Sequence, residues 1–388
     1  MNKMRRVAIV GVGMSKFGEL WDKSFREIIA EAGLMALEDA NMESKDIQAL
    51  YGATMASGKL IGQEHIAPLI ADQMGFKNIP ATRVENACAS GGTALREAYL
   101  AVASGAFDIV AVGGVEKMTD VSTSSATTAL GGAGDQEWEL FQGATFPALY
   151  ALMARRHMHE FGTTEEQLAM VAVKNHENAY KNKFAQFHNL ITIDDVLNSK
   201  LVADPLKLLD CSPITDGAAV AILAPLEIAK KYNDAPVEIV ASAQASDRVA
   251  LHDRETLTSL KATQIAAKEA YKQAKLEPKD IQVCEVHDCF TIAEIMAIED
   301  LGFFKKGEGG KATEEGQTKI GGKVAINTSG GLKGCGHPVG ATGIKQAVEI
   351  TWQLRGEAEG RNTIAEIGMT HNVGGSGATA VVHIFKRV

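Results

Sequence analysis

Three short stretches of this chain hold side chains able to do covalent chemistry. Cys88 lies in Asn86-Ala87-Cys88-Ala89-Ser90-Gly91-Gly92, His337 in Gly334-Cys335-Gly336-His337-Pro338-Val339-Gly340, and His287 with Cys289 in His287-Asp288-Cys289-Phe290. A thiolate is a strong nucleophile, and an imidazole within hydrogen-bond reach can take a thiol's proton. A β-rich stretch ending at Val84 precedes Cys88 and a helical pattern follows it, so the thiol is expected at a strand-to-helix turn. The positive end of the helix dipole there favours the thiolate. Gly91 and Gly92 leave room for another backbone to approach. A buried, inert cysteine is the commoner fate of this residue type, and the turn-and-glycine context argues against it. His337, on a tight glycine and proline loop ahead of a helix, is the candidate base. His287 and Cys289 share one face of an extended segment. The imidazole offers a donor to a developing oxyanion and the second thiol a proton-transfer group.

The elements that must position these groups read as an α/β sheet. Val7 to Val12 has the unbroken apolar look of a buried parallel strand. Ser24-Phe25-Arg26-Glu27 forms a capping box, followed by Ile28, Ala32, Met35 and Ala36 at helical spacing. Lys45 to Gly52 holds the next strand. The second half repeats the first. Ala40 to Gln48 resembles Ala274 to Gln282, Val7 to Val10 resembles Val237 to Val240, and Gly91 to Ala94 resembles Gly340 to Gly343, in the same order. An ancient duplication follows, with the His337 loop as counterpart of the Cys88 loop, so that the two meet across a pseudo-twofold axis. Thr119 to Gly134, rich in Ser, Thr, Ala and Gly, predicts a mobile loop. Phe146 to Phe187 predicts helix, and its Arg155, Arg156, Lys174, Lys181 and Lys183 read as solvated faces. The expected organisation is a first half over residues 1–118 completed by 208–234, an inserted lobe over 119–207, and a second half over 235–388.

Composition narrows the classes. Over 388 residues, 46% are hydrophobic and 22% charged, which supports a folded core and excludes disorder as the main state. The net charge of −9 argues against nucleic acid and an anionic membrane surface as partners. No run of about 18 apolar residues is present, so no membrane span is expected. The basic start, Met1 to Arg6, leads into an apolar run too short for a secretory signal. Five cysteines, an odd number without framework spacing, are expected as reduced thiols in a cytoplasm.

Other motifs fail. Gly11-Val12-Gly13 lacks the third glycine of a dinucleotide fingerprint, because Lys16 stands there. Gly316 to Lys323 lacks the Lys-Ser/Thr pair of a phosphate loop. Cys284 would face away from His287 and Cys289 on a strand, so no metal is expected.

Taken together, Cys88 in Cys-x-Ser, Gly113-Gly114-Val115-Glu116-Lys117-Met118 and Gly336-His337-Pro338 make the chain resemble the thiolases over essentially its full length. Where most thiolases carry Asn-Glu-Ala-Phe, this chain has His287-Asp288-Cys289-Phe290. That resembles the sterol-carrier-protein type and its archaeal relatives. The family's late Cys-x-Gly is replaced by His371-Asn372-Val373-Gly374-Gly375. The resemblance implies the thiolase fold, two duplicated α/β halves in a layered αβαβα core with an inserted loop lobe. It implies an acetyl-CoA acetyltransferase with Cys88 as nucleophile, His337 as its base, Cys289 as the second base in place of the missing cysteine, and His287 beside His337 on the enolate. It also implies oxyanion donors from the backbone of Cys88 and Val373, and Ser212 against the pantetheine arm. Coenzyme A and acyl-CoA would be substrates, with no tightly bound cofactor. A homodimer or tetramer is implied, together with a complex joining hydroxymethylglutaryl-CoA synthase through a small zinc-binding oligonucleotide-fold protein. A decarboxylating ketoacyl synthase and a non-catalytic acyl-CoA-binding scaffold are the alternatives.

Overall fold

The internal repeat is visible in the order of the strands. The computed structural model describes residues 4–388, so the first three residues of the basic start lie outside the described residues. Its strands are β1 (Val7–Met14), β2 (Ala49–Ala53), β3 (Ala81–Val84), β4 (Val110–Glu116), β5 (Leu201–Ala203), β6 (Leu206–Lys207), β7 (Gly217–Pro225), β8 (Val237–Ser246), β9 (Val283–Glu285), β10 (Ala325–Ile326), β11 (Ile367–Gly374) and β12 (Thr379–Arg387). Ten of them hydrogen-bond in the order β10-β9-β11-β12-β8-β1-β7-β4-β2-β3, while β5 and β6 form a separate ribbon. Read outward from the β1–β8 junction, β1-β7-β4-β2-β3 has the same layout as β8-β12-β11-β9-β10. Local details repeat as well. Asn41 and Lys275 both take a left-handed backbone, φ 50° and 56°. Each leads into a short turn whose closing aspartate, Asp46 or Asp280, accepts the N–H of Glu43 or Glu277 at 2.8 Å.

β1 is fully buried, as its apolar run predicts, but it runs antiparallel to both neighbours, β7 and β8. Burial on both faces makes the run apolar, and it does not set the strand's direction. The capping box forms as expected: Glu27 N–H donates to Ser24 Oγ at 3.3 Å and Ser24 N–H to the Glu27 carboxylate at 2.7 Å, opening the helix Phe25–Asp39. That helix covers the outer face of the first half. Helices Lys261–Ala274 and Thr291–Asp300 cover the outer face of the second. Between the two half-sheets lie helices Ser90–Ser104 and Thr342–Arg355, with Ala94, Leu95 and Ala98 in one apolar cluster with Ile344, Ala347 and Val348. Helix, sheet, helix, sheet, helix is the resulting layering.

The expected mobile loop after Thr119 is instead partly helix, Thr123–Gly131, capped by Ser122. Its Ser and Thr residues form the exposed face, and Ala126 and Ala129, one turn apart, are buried in a cluster with Met55, Met118, Cys88 and Val339. Lys174 also departs from expectation. It lies within the helix Glu165–Tyr180, is buried, and bonds the Glu294 carboxylate at 2.6 Å and Ile326 O at 2.9 Å. Among the described residues, no helix is long and apolar enough to cross a membrane.

Candidate active site

Cys88 follows Ala87, whose φ of 51° is an uncommon conformation for a residue with a Cβ. Ser90 staples this turn: its hydroxyl donates to Ala87 O at 2.6 Å and accepts Asn86 N–H at 2.8 Å. The thiol is therefore delivered at the start of the helix Ser90–Ser104, as expected. The helix end does not make it a thiolate. Burial pushes the Cys88 thiol up to about 12, against the opposing hydrogen bonds from the N–H groups of Gly375 and of Cys88 itself.

His337 is carried to the same place by the second half. Glu116, fully buried, accepts Gly340 N–H at 3.0 Å, Met55 N–H at 2.8 Å and the Thr54 hydroxyl at 2.8 Å, tying the His337 loop to the end of β4. Asp288 accepts Leu332 N–H at 2.7 Å, Lys333 N–H at 3.2 Å and the Asn175 amide at 2.7 Å. The aspartate between His287 and Cys289 therefore clamps the turn that leads to His337. Burial and the neighbouring Glu294 push its carboxyl up to about 7.

One ring nitrogen of His287, one of His337 and the Cys88 sulfur all lie within 4.8 Å of one another. Nδ1 of each ring is committed elsewhere. His337 Nδ1 meets Thr342 Oγ1 at 2.7 Å, and that hydroxyl also lies 3.1 Å from Pro338 O. A hydroxyl has one proton. Donating it to the carbonyl leaves Thr342 to accept from Nδ1–H, so His337 Nε2 is a bare lone pair. Burial, reinforced by Lys345, holds His337 down to about 3, so the ring is neutral and able to accept a proton. His287 is buried and held well below the usual imidazole range, first by burial and then by His337. Its Nδ1 lies 3.1 Å from Asn372 Nδ2, and its Nε2 has no partner.

Cys289 is buried, and burial raises its thiol above the usual range. The Tyr150 hydroxyl hydrogen-bonds Cys289 and works the other way, while charge on Cys88 raises it further. With its single proton the Tyr150 hydroxyl donates either to Cys289 or to Gly375 O, 3.2 Å away, and its ring packs on Phe290 at 4.7 Å. Ser212 sits beside this loop: its backbone N–H donates to Cys289 O at 2.9 Å and its side chain is half-buried. Val373 lies inside the β11–β12 ladder opposite Ala380, and the amide of Gly375, two residues on, reaches the Cys88 sulfur. Cys284 sits within β9, and all five cysteines are free thiols. The sequence reading missed Asn372, Tyr150 and Gly375. Asn372 and Gly375 stand in the stretch that replaces the late Cys-x-Gly, which was the available signal; nothing marked Tyr150.

This fold and site define a thiolase. The thiolase N-terminal domain model matches residues 7–227 and the thiolase C-terminal domain-like model residues 243–387, so the chain belongs to the thiolase family of acyltransferases. An acetyl-CoA acetyltransferase of Methanothermobacter thermautotrophicus is 61% identical over 99% of this chain and 100% of its own length. One from Methanocaldococcus jannaschii is 54% identical over 99% of each. The solved structure described as the Ltp2-ChsH2(DUF35) aldolase superposes with a TM-score of 0.86 at 27% identity, covering 99% of this chain and 98% of that one.

Proposed function

We propose that the protein is an acetyl-CoA acetyltransferase, interconverting two acetyl-CoA with acetoacetyl-CoA and free CoA through an acetyl-Cys88 thioester. The convergence of Cys88, His287 and His337 within 4.8 Å carries this reading, and the identity to acetyl-CoA acetyltransferases supports its substrate. In the first half-reaction His337 takes the Cys88 proton and the sulfur attacks the thioester carbonyl. The N–H groups of Cys88 and Gly375, which face that sulfur, stabilise the oxyanion; one such donor contributes a factor of about 100 to 1000 in rate. The carbon–sulfur bond to CoA breaks, and the CoA thiolate departs with the proton of Cys289. Cys289 is then a thiolate beside the Tyr150 hydroxyl, and acetylated Cys88 no longer opposes its charge. A second acetyl-CoA gives a methyl proton to Cys289. Its enolate oxygen is held by His287 and by His337, which now carries the Cys88 proton. The enolate carbon attacks the acetyl group, and Cys88 leaves and recovers its proton from His337.

A decarboxylating ketoacyl synthase would generate its enolate by loss of carbon dioxide and would have no use for Cys289 as a base. A scaffold would have no use for the convergence. The test is direct: incubate the protein with acetyl-CoA, digest it, and weigh the Cys88 peptide. An acetyl adduct is expected, and an unmodified peptide under turnover conditions overturns the reading. The same reading extends to Ser212 on the pantetheine arm, a homodimer or tetramer, and a cytoplasmic location. It extends also to supply of the mevalonate pathway in a complex with hydroxymethylglutaryl-CoA synthase through a small zinc-binding protein. Co-purification and native mass measurement test the assembly.

A further inference from the structure

Asn372 is buried at the centre of the site, and its amide makes three contacts. Gly92 N–H donates to Asn372 Oδ1 at 3.0 Å, Asn372 Nδ2 donates to Cys88 O at 3.0 Å, and the same Nδ2 lies 3.1 Å from His287 Nδ1. Two of these partners have fixed polarity: a backbone N–H only donates and a backbone carbonyl only accepts. They leave one orientation for the amide. Its second N–H then points at His287 Nδ1, which must accept, so the ring's proton is on Nε2. That Nε2 is buried and unpartnered, on the ring that contributes one nitrogen to the cluster with Cys88 and His337.

We propose that Asn372 is a positioning residue that fixes His287 as a hydrogen-bond donor, and that the same fixed polarity keeps thiophilic metal ions out of the Cys88–His287–His337 cluster. The enolate-holding part rests on the function proposed above; the polarity and the metal exclusion do not. One cysteine and two histidines at this spacing are a donor set suited to zinc, which binds neutral imidazole nitrogen and thiolate. An Nε2 that carries a proton has no lone pair to give. Metal-binding histidines usually present a donor Nδ1–H to a carboxylate or carbonyl, and Asn372 offers His287 the reverse. A captured metal would also hold the nucleophile, so the amide protects the thiol as well as orienting the donor.

The test uses the intact protein, 15N-labelled at histidine, and Zn2+ added alone. Long-range nitrogen–proton correlation spectra should show His287 as the Nε2–H form in the native chain. Asn372→Asp supplies an acceptor to Nδ1, so the proton should move to Nδ1 and free Nε2. Zn2+ binding should then tighten by about 10- to 100-fold, the range a carboxylate behind a ligating histidine contributes. Adding His287→Ala to that variant should return Zn2+ affinity to the native level. An Nδ1–H signal for native His287 overturns the proposal. So does unchanged Zn2+ affinity in Asn372→Asp, or tight binding that survives loss of His287. The native spectrum needs no variant, so it decides the polarity even if Asn372→Asp fails to fold. None of these readouts uses acetyl-CoA, so failure here is distinguishable from failure to acetylate Cys88.

Discussion

The rings of His287 and His337 stand edge to face, their centroids 5.1 Å apart and their planes at 84°, and present opposite polarities to the space between them. Thr342 leaves His337 a lone pair, while Asn372 leaves His287 a proton. One imidazole can therefore accept the Cys88 proton while the other is already a donor. After that transfer both are donors, and an enolate needs donors at that moment.

The division of labour between the two thiols is separable. Cys88→Ala should abolish both thiolysis and condensation. Cys289→Ala should leave acetylation of Cys88 measurable by mass while condensation collapses. Survival of condensation in Cys289→Ala would assign the second base elsewhere.

Tyr150→Phe removes the hydroxyl that lowers the Cys289 thiol and bonds Gly375 O. A lost hydrogen bond of this kind costs about 0.5–1.5 kcal/mol of stability. Condensation should slow by about tenfold or more, the equivalent of one pK unit on the base, while acetylation of Cys88 in a single turnover is little changed. Stopped-flow measurement of each half-reaction distinguishes this from a general loss of folding.

Gly343 is a close approach between the two central helices. A Cβ there would lie 2.1 Å from Gly92 N and 2.3 Å from Asn372 Oδ1. Both are held in the hydrogen-bond network around Cys88, so neither can yield cheaply. Gly343→Ala should destabilise by about 1–3 kcal/mol or more through overpacking. It should also lower activity beyond the folded fraction, because it displaces the amide that orients His287. Thermal denaturation alongside active-site titration with acetyl-CoA checks both parts.

Acid stability should be limited by histidine. Burial holds His337 and His371 down to about 3 and His176 and His383 to about 4, and depresses His287 as well. The unfolded chain protonates these rings near the ordinary 6.5 while the folded one does not, so unfolding takes up protons as pH falls. Each ring should cost about 1.4 kcal/mol per pH unit below that value until its folded pKa is reached. The melting temperature should fall from about pH 6.5 downward, before most carboxylates titrate. A flat profile between about pH 6 and 4, below where these rings titrate in an unfolded chain and above where burial lets them titrate in the folded one, would contradict the burial of these rings.

What the chain alone discloses is set by local chemistry. Cys88, His287, Cys289 and His337 stand in short motifs whose glycines, prolines and spacing mark them, and the repeat links Glu43 and Asp46 with Glu277 and Asp280 because the same turn needs the same residues. Local pattern misleads where a property depends on what packs outside the segment. The apolar run of β1 reports burial but not the direction of β7 and β8. The polar stretch after Thr119 hides a helix whose two buried alanines join the apolar cluster that contains Cys88. Gly375 lies just past Gly374, the last paired residue of β11, and only the closing of the two halves on each other brings its amide to the Cys88 sulfur.

The amino-acid sequence by itself determined the family, the duplicated layering and the four side chains with reactive atoms. Only the tertiary structure decided their protonation and polarity: a thiol kept neutral, one imidazole left as a base and its neighbour fixed as a donor. Those properties arise from exclusion of water and from single hydrogen bonds between residues hundreds of positions apart on the chain, such as Asn372 to Cys88 and Glu116 to Gly340. No local pattern carries that information, because each partner is ordinary where it stands and acquires its effect only when the two halves close on each other.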